Sequence, residues 1–416
     1  MNDNFLNLHI LTTTSIANQN RDDTGAPKQV TYGGVTRHRL SSQAMTRAKR
    51  VAYELSAGGD QVTWRAKSGM TLRAQTMAID LAQQQGNPLT EQERTEILVL
   101  LTTAVTKLVI NQDKAEKAKV ERTKEKADRS AKDAKNAEAE GLIVVAPTDS
   151  GEDTGGKKDT LVWLAEHELA QLVEQSLQVL RAGAETVAFV NEKGRTQSLA
   201  IAAFGRMFAA SPALQNEAAV QRSHAFTTHA ADIEPDYFTA VNDLPLTKDG
   251  AGAGHLDINQ FGGGVFYWHA NIDRKQLWAT WIAGTDEESI RDRLTTFFDA
   301  LFLALPSGKQ ATTAPKTVPD AILVVPASSP VALHQAFECP ISAEKVGGGY
   351  RTSSLTALLD THEQVRKFTP RQFESASHVA GTLDVSSTEH VIASESLDSL
   401  LEVCVDWVLA GRPQSS

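Results

Sequence analysis

Residues 18–52 read NQNRDDTGAPKQVTYGGVTRHRLSSQAMTRAKRVA, and the chain is organised around them. The stretch joins basic charge, a glycine turn at Gly33–Gly34 and a polar helix start. Between Asn20 and Arg50 it holds Arg21, Lys28, Arg37, Arg39, Arg47, Lys49 and Arg50 against Asp22 and Asp23, in a chain whose formal charge is -10. Positive charge gathered against the chain's own average points to a polyanionic partner. Ser41 or Ser42 suits an N-cap, and Met45, Ala48, Val51 or Ala52, and Leu55 recur at helical spacing until Gly58 and Gly59. A helix over 42–57 would bury that face and align Gln43, Arg47 and Arg50 on another. Free amides and hydroxyls at a helix start, followed by guanidinium groups one and two turns along, suit a track of phosphates. A solvated amphipathic surface helix explains the same pattern.

Composition sets the bounds. The chain has 416 residues, enough for two or three domains, and its 41% hydrophobic content supplies a core. No apolar run approaches a bilayer span and no signal-peptide order opens the sequence, so a cytoplasmic protein without membrane contact is expected. Cys339 and Cys404 lie far apart in apolar surroundings and read as buried thiols. Net acidity argues against indiscriminate coating of nucleic acid, though not against a groove of opposite local charge.

Upstream of the basic stretch, NFLNLHILTTT (4–14) alternates Leu6, Leu8 and Ile10 with Asn7, His9 and Leu11, a strand with one buried face. Downstream, residues 60–182 carry helical periodicity at 72–81, 97–110 and 161–180. Within them, Asp113–Glu140 mixes Lys and Arg with Asp and Glu and lacks an apolar face, as an exposed helix with i,i+4 pairs would. LAIAAFGRMF (199–208) and VFYWHANI (265–272) have strand character. Glu217–Ala230 reads as a helix and 231–264 as a long loop ending in glycines. A helix over 286–304 and a strand AILVV at 321–325 follow. The order strand, helix, strand, strand, helix, strand is that of a ferredoxin-like or RRM-like α+β fold carrying two insertions. Residues 330–416 add a strand or two and a closing helix, Leu397–Leu409.

Catalytic signals are thin. His224 and His229 are five apart and have no third ligand at zinc-type spacing. Asp22 and Asp23, in NRDDTG, read as turn residues, with a metal-dependent enzyme built on them as the competing reading. There is no GxxxxGK[ST], GxSxG or CxxC, and the FGGG before VFYW reads as a bulged strand entry. Nothing sets a histidine beside the basic helix with a hydroxyl or lysine partner, which argues against a ribonuclease. Met207, after a glycine and Arg206, suits either core or a wedge beside a base.

Several of these stretches together resemble a known family. They are N-R-D-D-T-G-x-P-K at Asn20–Lys28, GGVTRHRLSSQ at Gly33–Gln43, FGRM at Phe204–Met207, DIEPDYFTAVNDL at Asp232–Leu244 and AGAGH at Ala251–His255. The sequence resembles the CasC-type backbone subunits of type I-E CRISPR surveillance complexes (Cascade). That resemblance implies an RRM-like palm (1–59 and 183–416), helical fingers (60–182, with a charged segment 111–158) and a thumb loop at about 225–262. It implies a non-catalytic role in antiviral defence, without metal or cofactor, in which copies stack along a guide RNA. The implied partners are the crRNA, the target DNA strand paired to it, other copies of the chain, other Cascade subunits and a recruited helicase-nuclease. The implied RNA-binding residues are Arg21, Lys28, Ser41, Gln43, Arg47, Lys49, Arg50, Arg206 and Met207, with Thr239, Val241 and Asn242 at the thumb and kink. Thr46 stands where family members often carry lysine, so that one phosphate contact is either absent or supplied elsewhere, with Lys49 as the candidate. An RRM-fold endoribonuclease that processes guide precursors is the alternative.

Overall fold

The computed structural model describes residues 3–66, 68–109, 161–182, 187–189, 191, 194–208, 211–241 and 253–413. The charged segment 111–158 and Asn242 lie outside them. The chain forms two compact units. The first comprises Met1–Gln61, Arg195–Gly205 and Glu217–Ser416, and the second Val62–Gly194 and Arg206–Asn216. The insertion therefore runs to 194 rather than 182, and the chain re-enters the second unit once more at 206.

The first unit is built on β1 (Phe5–Ala17), β2 (Gln29–Tyr32), β3 (Val35–Leu40) and α1 (Ser42–Ala57). After the insertion come a short helix (Leu199–Phe204), β4 (Val220–Arg222), β5 (Ala225–Thr227), β6 (Glu234–Val241), β7 (Ala253–Asp273), α2 (Glu287–Leu303) and β8 (Ala321–Ala327). α3 (Arg351–Phe368), β9 (Ser377–Ala380), β10 (Val391–Ala393) and α4 (Leu397–Leu409) complete it. The central strands run in the order β8-β1-β7-β5, all antiparallel. With α1 and α2 as the two crossovers, this is the ferredoxin-like arrangement.

Two elements exchanged identity relative to the sequence reading. LAIAAF is helical, capped by the Ser198 hydroxyl on the Ile201 amide, and all six residues are buried. Residues 217–230 are not a helix but supply β4 and β5, the second strand position of the fold. Within 231–264, read as a loop, the described residues form a two-stranded ribbon, in which β6 pairs with the outer half of the 21-residue β7 from Glu234↔Phe261 to Val241↔Ala253. The glycines before VFYW do mark a bulge, where the β1–β7 register shifts between Thr14 and Ala17. A Cβ on Gly262 would meet the His38 ring at 2.3 Å. β1 buries both faces rather than one, because it is central. Ile10 and its partner Trp268 lie on the face covered by α1, whereas Leu11 belongs to a core with Leu333, Phe337, Leu355 and Leu358. α3 went unanticipated, although Leu355, Leu358 and His362 are buried at helical spacing. Cys404 is buried as expected, but Cys339 is exposed.

The second unit contains a two-stranded sheet, Thr63–Ala66 against Val162–Ala165, and helices Ser68–Gln84, Glu91–Val109 and Glu166–Ala182. Alanines 74, 78 and 82, all fully buried, let the first of these helices approach Ile97, Leu101, Leu172 and Val173 closely. Among the described residues, no helix is long and apolar enough to cross a membrane.

Candidate nucleic-acid interface

The start of α1 is fastened to the 20–28 loop, the end of β3 and the turn between β4 and β5. Ser41 caps the helix, its hydroxyl accepting from the Ala44 amide at 3.2 Å. The Ser41 amide donates to Asn20 Oδ1 at 2.8 Å, and the Lys28 amide to the Asn20 carbonyl at 2.9 Å, so the 20–28 loop is fastened to the helix. Within that loop Asp22 Oδ1 accepts from Thr24 Oγ1 and from the Thr24 and Ala26 amides. The Thr24 hydroxyl bond leads the causes that hold the Asp22 carboxyl below the usual range. Asp22 is thus the turn residue its NRDDTG context suggested. The β2–β3 turn closes at Gly33, whose φ is +60°. A Cβ there would fall 1.6 Å from the Glu338 carbonyl oxygen, so the position excludes any side chain.

The seven basic residues of the stretch divide into two groups. Arg37 is buried, donating to the carbonyls of Tyr32, Thr227 and Phe337 at 3.0, 2.8 and 2.7 Å. Lys49 was expected at a phosphate, but it is 3% exposed and donates to the Leu301 and Ala304 carbonyls at the C-terminal end of α2. It lies 4.4 Å from the centre of the Trp268 ring, and burial lowers its ammonium to about 7. Lys49 therefore does not supply the contact missing at Thr46, whose hydroxyl is turned to the Ser42 carbonyl at 2.7 Å. Arg50 is only partly exposed and pairs with Glu54 at 2.7 Å, which leaves it a weaker candidate than the spacing suggested.

Arg21, Lys28, Arg39 and Arg47 form the other group: among the described residues, none of them pairs with a carboxylate. Gln43 and Arg47 stay exposed one turn apart on α1. Arg47 also edges a groove of about 480 Å³ lined by Val51, Leu55, Pro306 and Lys316.

Arg206 is not a phosphate ligand either. In the second unit its guanidinium is buried against Glu168, with Nη2 donating to Oε1 at 2.9 Å and Nη1 to the Trp163 carbonyl at 3.2 Å. Next to it, Met207 is 79% exposed, so it is not core. On the ribbon of the first unit Thr239 is exposed and Val241 ends β6.

Sequence reasoning weighed His224 only as a metal ligand and missed its place in the β4–β5 turn, beside α1. Its Nδ1 accepts from the Ser42 amide at 2.8 Å, and its Nε2 lies 3.5 Å from Arg39 Nη1. A histidine does stand beside the basic helix, contrary to expectation. The sequence signal for it was absent, because a helix over 217–230 would have pointed His224 elsewhere.

The architecture and this basic face accompany a family match. A family model described as CT1975-like protein matches residues 6–404. The chain belongs to the CT1975-like family. No curated protein matches this CT1975-like chain. It is similar in fold to a solved chain titled "CRISPR RNA-guided surveillance complex, pre-nicking", with 24% identity, TM-score 0.67, and coverage of 97% of this chain and 100% of that one. A second, titled "CRISPR RNA-guided surveillance complex", is 21% identical with TM-score 0.56, covering 97% and 99%.

Proposed function

We propose that this CT1975-like chain is a non-catalytic, guide-RNA-binding backbone subunit of a Cascade surveillance complex, of the CasC kind found in type I-E systems. Supporting this are the family, the fold shared with surveillance-complex chains along almost the whole length, and the motifs from Asn20 to His255. The observation that carries it is the unneutralised cationic set Arg21, Lys28, Arg39 and Arg47 around the start of α1, on a chain of net charge -10. Such a set grips phosphates and leaves base edges free, as a subunit must that accepts any guide and leaves sequence to pairing. A few contacts per copy are weak, and repetition along one strand makes them strong. A head-to-tail interface that does not close gives an open filament whose length the RNA sets. In that role its partners are crRNA, the target DNA strand, further copies of itself, other Cascade subunits and, through them, a helicase-nuclease, in the cytoplasm.

The test is native mass spectrometry of the full chain with single-stranded RNAs of two lengths and a scrambled sequence. Particle mass should rise in whole-protomer steps with length, whatever the sequence; a monomer on every RNA would count against assembly by this chain alone. Substituting Lys28→Gln and Arg47→Gln should weaken RNA binding equally for all sequences. It should also reduce the slope of log affinity against log salt by about 0.7 for each phosphate no longer neutralised. An unchanged slope removes both residues from the track.

A second reading, an endoribonuclease, gains from His224 beside Lys28 and Arg39. Cleavage of a stem-loop RNA that disappears in His224→Asn would favour it over the filament subunit.

A further inference from the structure

The β4–β5 turn is held firmly. The Ser223 amide donates to the His269 carbonyl at 2.8 Å, and the His269 amide donates back to Ser223 Oγ at 3.0 Å. His224 is therefore presented to α1 by a fixed scaffold while its ring remains exposed. Because Nδ1 accepts the Ser42 amide, the proton of the neutral ring sits on Nε2, on the side of Arg39. The groups facing the ring are Lys28 from the 20–28 loop, Arg39 from β3 and the first amides of α1. Arg222, two residues before it, turns instead to the Phe204 ring at 5.6 Å. Among the described residues, no carboxylate acts on the ring. Partial burial, then Arg39, then Lys28 hold the imidazole below its ordinary 6.5.

We propose that Lys28, Arg39 and His224 form a proton-linked phosphate subsite at the start of α1, in which an RNA phosphate binds together with a proton on His224. The inference rests on the RNA-binding reading above. Protonation puts a hydrogen on Nδ1, so the ring can no longer accept from the Ser42 amide. The imidazolium and the released amide then both become donors. Without an anion this is unfavourable, because a third cation stands beside Arg39 and Lys28 and a helix N-terminus. A phosphate reverses that balance by placing negative charge among all three. By linkage, the pKa of His224 rises on binding and RNA affinity rises as pH falls.

The experiment measures binding of a short single-stranded RNA to the full chain by calorimetry between pH 8 and pH 6, in two buffers of different ionisation enthalpy. Wild type should take up close to one proton per bound protomer in the middle of this range. Its affinity should tighten by up to about tenfold per pH unit where uptake is complete. His224→Asn retains an acceptor near the Ser42 amide and cannot titrate, so its affinity should be flat over the same range. Binding by wild type without buffer-dependent proton uptake overturns the subsite even if the variant fails to fold, and so does a variant that keeps the full pH dependence. Absence of RNA binding at every pH and salt overturns the RNA reading itself, and the subsite with it.

Discussion

Arg206→Met is expected to destabilise the second unit by about 3–5 kcal/mol, the cost of leaving one member of a buried ion pair alone. Arg206 and Glu168 expose only 1% and 4% of their side chains. The guanidinium is held on both carboxylate oxygens, on the Trp163 carbonyl, and near the Phe208 and Phe189 rings at 4.7 and 5.2 Å. Glu168 also accepts from the Ala165 amide at 2.9 Å, so the pair ties the start of the helix Glu166–Ala182 to the chain that re-enters this unit at 206. Removing the arginine strands a carboxylate where water cannot reach it. Exchanging both partners, Arg206→Met with Glu168→Leu, removes the charge from both sides and should recover most of the loss. Urea titration followed by fluorescence reads both variants. A loss below about 1 kcal/mol in the single variant, or a flatter salt dependence of RNA binding with unchanged stability, would return Arg206 to the phosphate track.

The second large effect is acid lability of the first unit. His9 and His269 are opposite each other on β1 and β7, both buried, with rings stacked at 4.8 Å. His9 Nδ1 bonds the Tyr267 hydroxyl at 2.9 Å, and the His9 and His269 Nε2 atoms have no hydrogen-bond partner among the described residues. His362, on α3, places Nε2 3.0 Å from Ser377 Oγ. Burial pushes all three below 6.5: His9 well below, His269 to about 3 and His362 to about 4. Neighbouring histidines add to the shift at each, as does Arg366 at His362.

These histidines are neutral when folded and take up protons in the unfolded chain below pH 6.5. Their contribution is therefore fully present above pH 6.5 and is lost as pH falls toward the folded values. Each removes about 1.4 kcal/mol per pH unit in that window, together about 4 kcal/mol per unit against a whole-domain stability of about 5–15 kcal/mol. The urea midpoint should fall steeply from pH 6.5 to pH 5, and His269→Gln should flatten the fall by about a third. A midpoint constant over that range would show that these rings are already charged or solvated. The proton-linkage measurement on His224 is accordingly confined to pH 6 and above.

The elements legible in the sequence were those whose signals are local. α1 runs from the Ser41 cap to Gly58, whose φ is +60°, and α2 runs from the Asp286 cap through Ile290, Leu294 and Phe298. A period and a cap suffice to identify such helices before anything packs on them. LAIAAF carries no period, being apolar on every side, so strand and helix were indistinguishable until its surroundings buried it on all faces. Residues 217–230 carry weak signals of either kind. Only the edge of β7, with unpaired amides and carbonyls to satisfy, selects β4 and β5 there. The ribbon of 234–241 against 253–261 was hidden for the same reason, since one half of the ladder satisfies the other.

The basic stretch shows the same division among residues of one type. By itself the sequence determined β1, α1, α2 and β8, the capped start of α1 and the gathering of positive charge beside it, because periodicity, capping and net charge are properties of neighbours along the chain; the second strand of the core it placed in the wrong segment. Tertiary structure alone decided that Lys49 closes the end of α2, that Arg37 and Arg206 are sealed within their units, that Arg47 stays exposed while Lys28 and Arg39 are half-buried without a carboxylate among the described residues, and that His224 joins them. The same cation binds a carbonyl, a carboxylate or a solvent-facing anion according to which long-range contacts remove it from water.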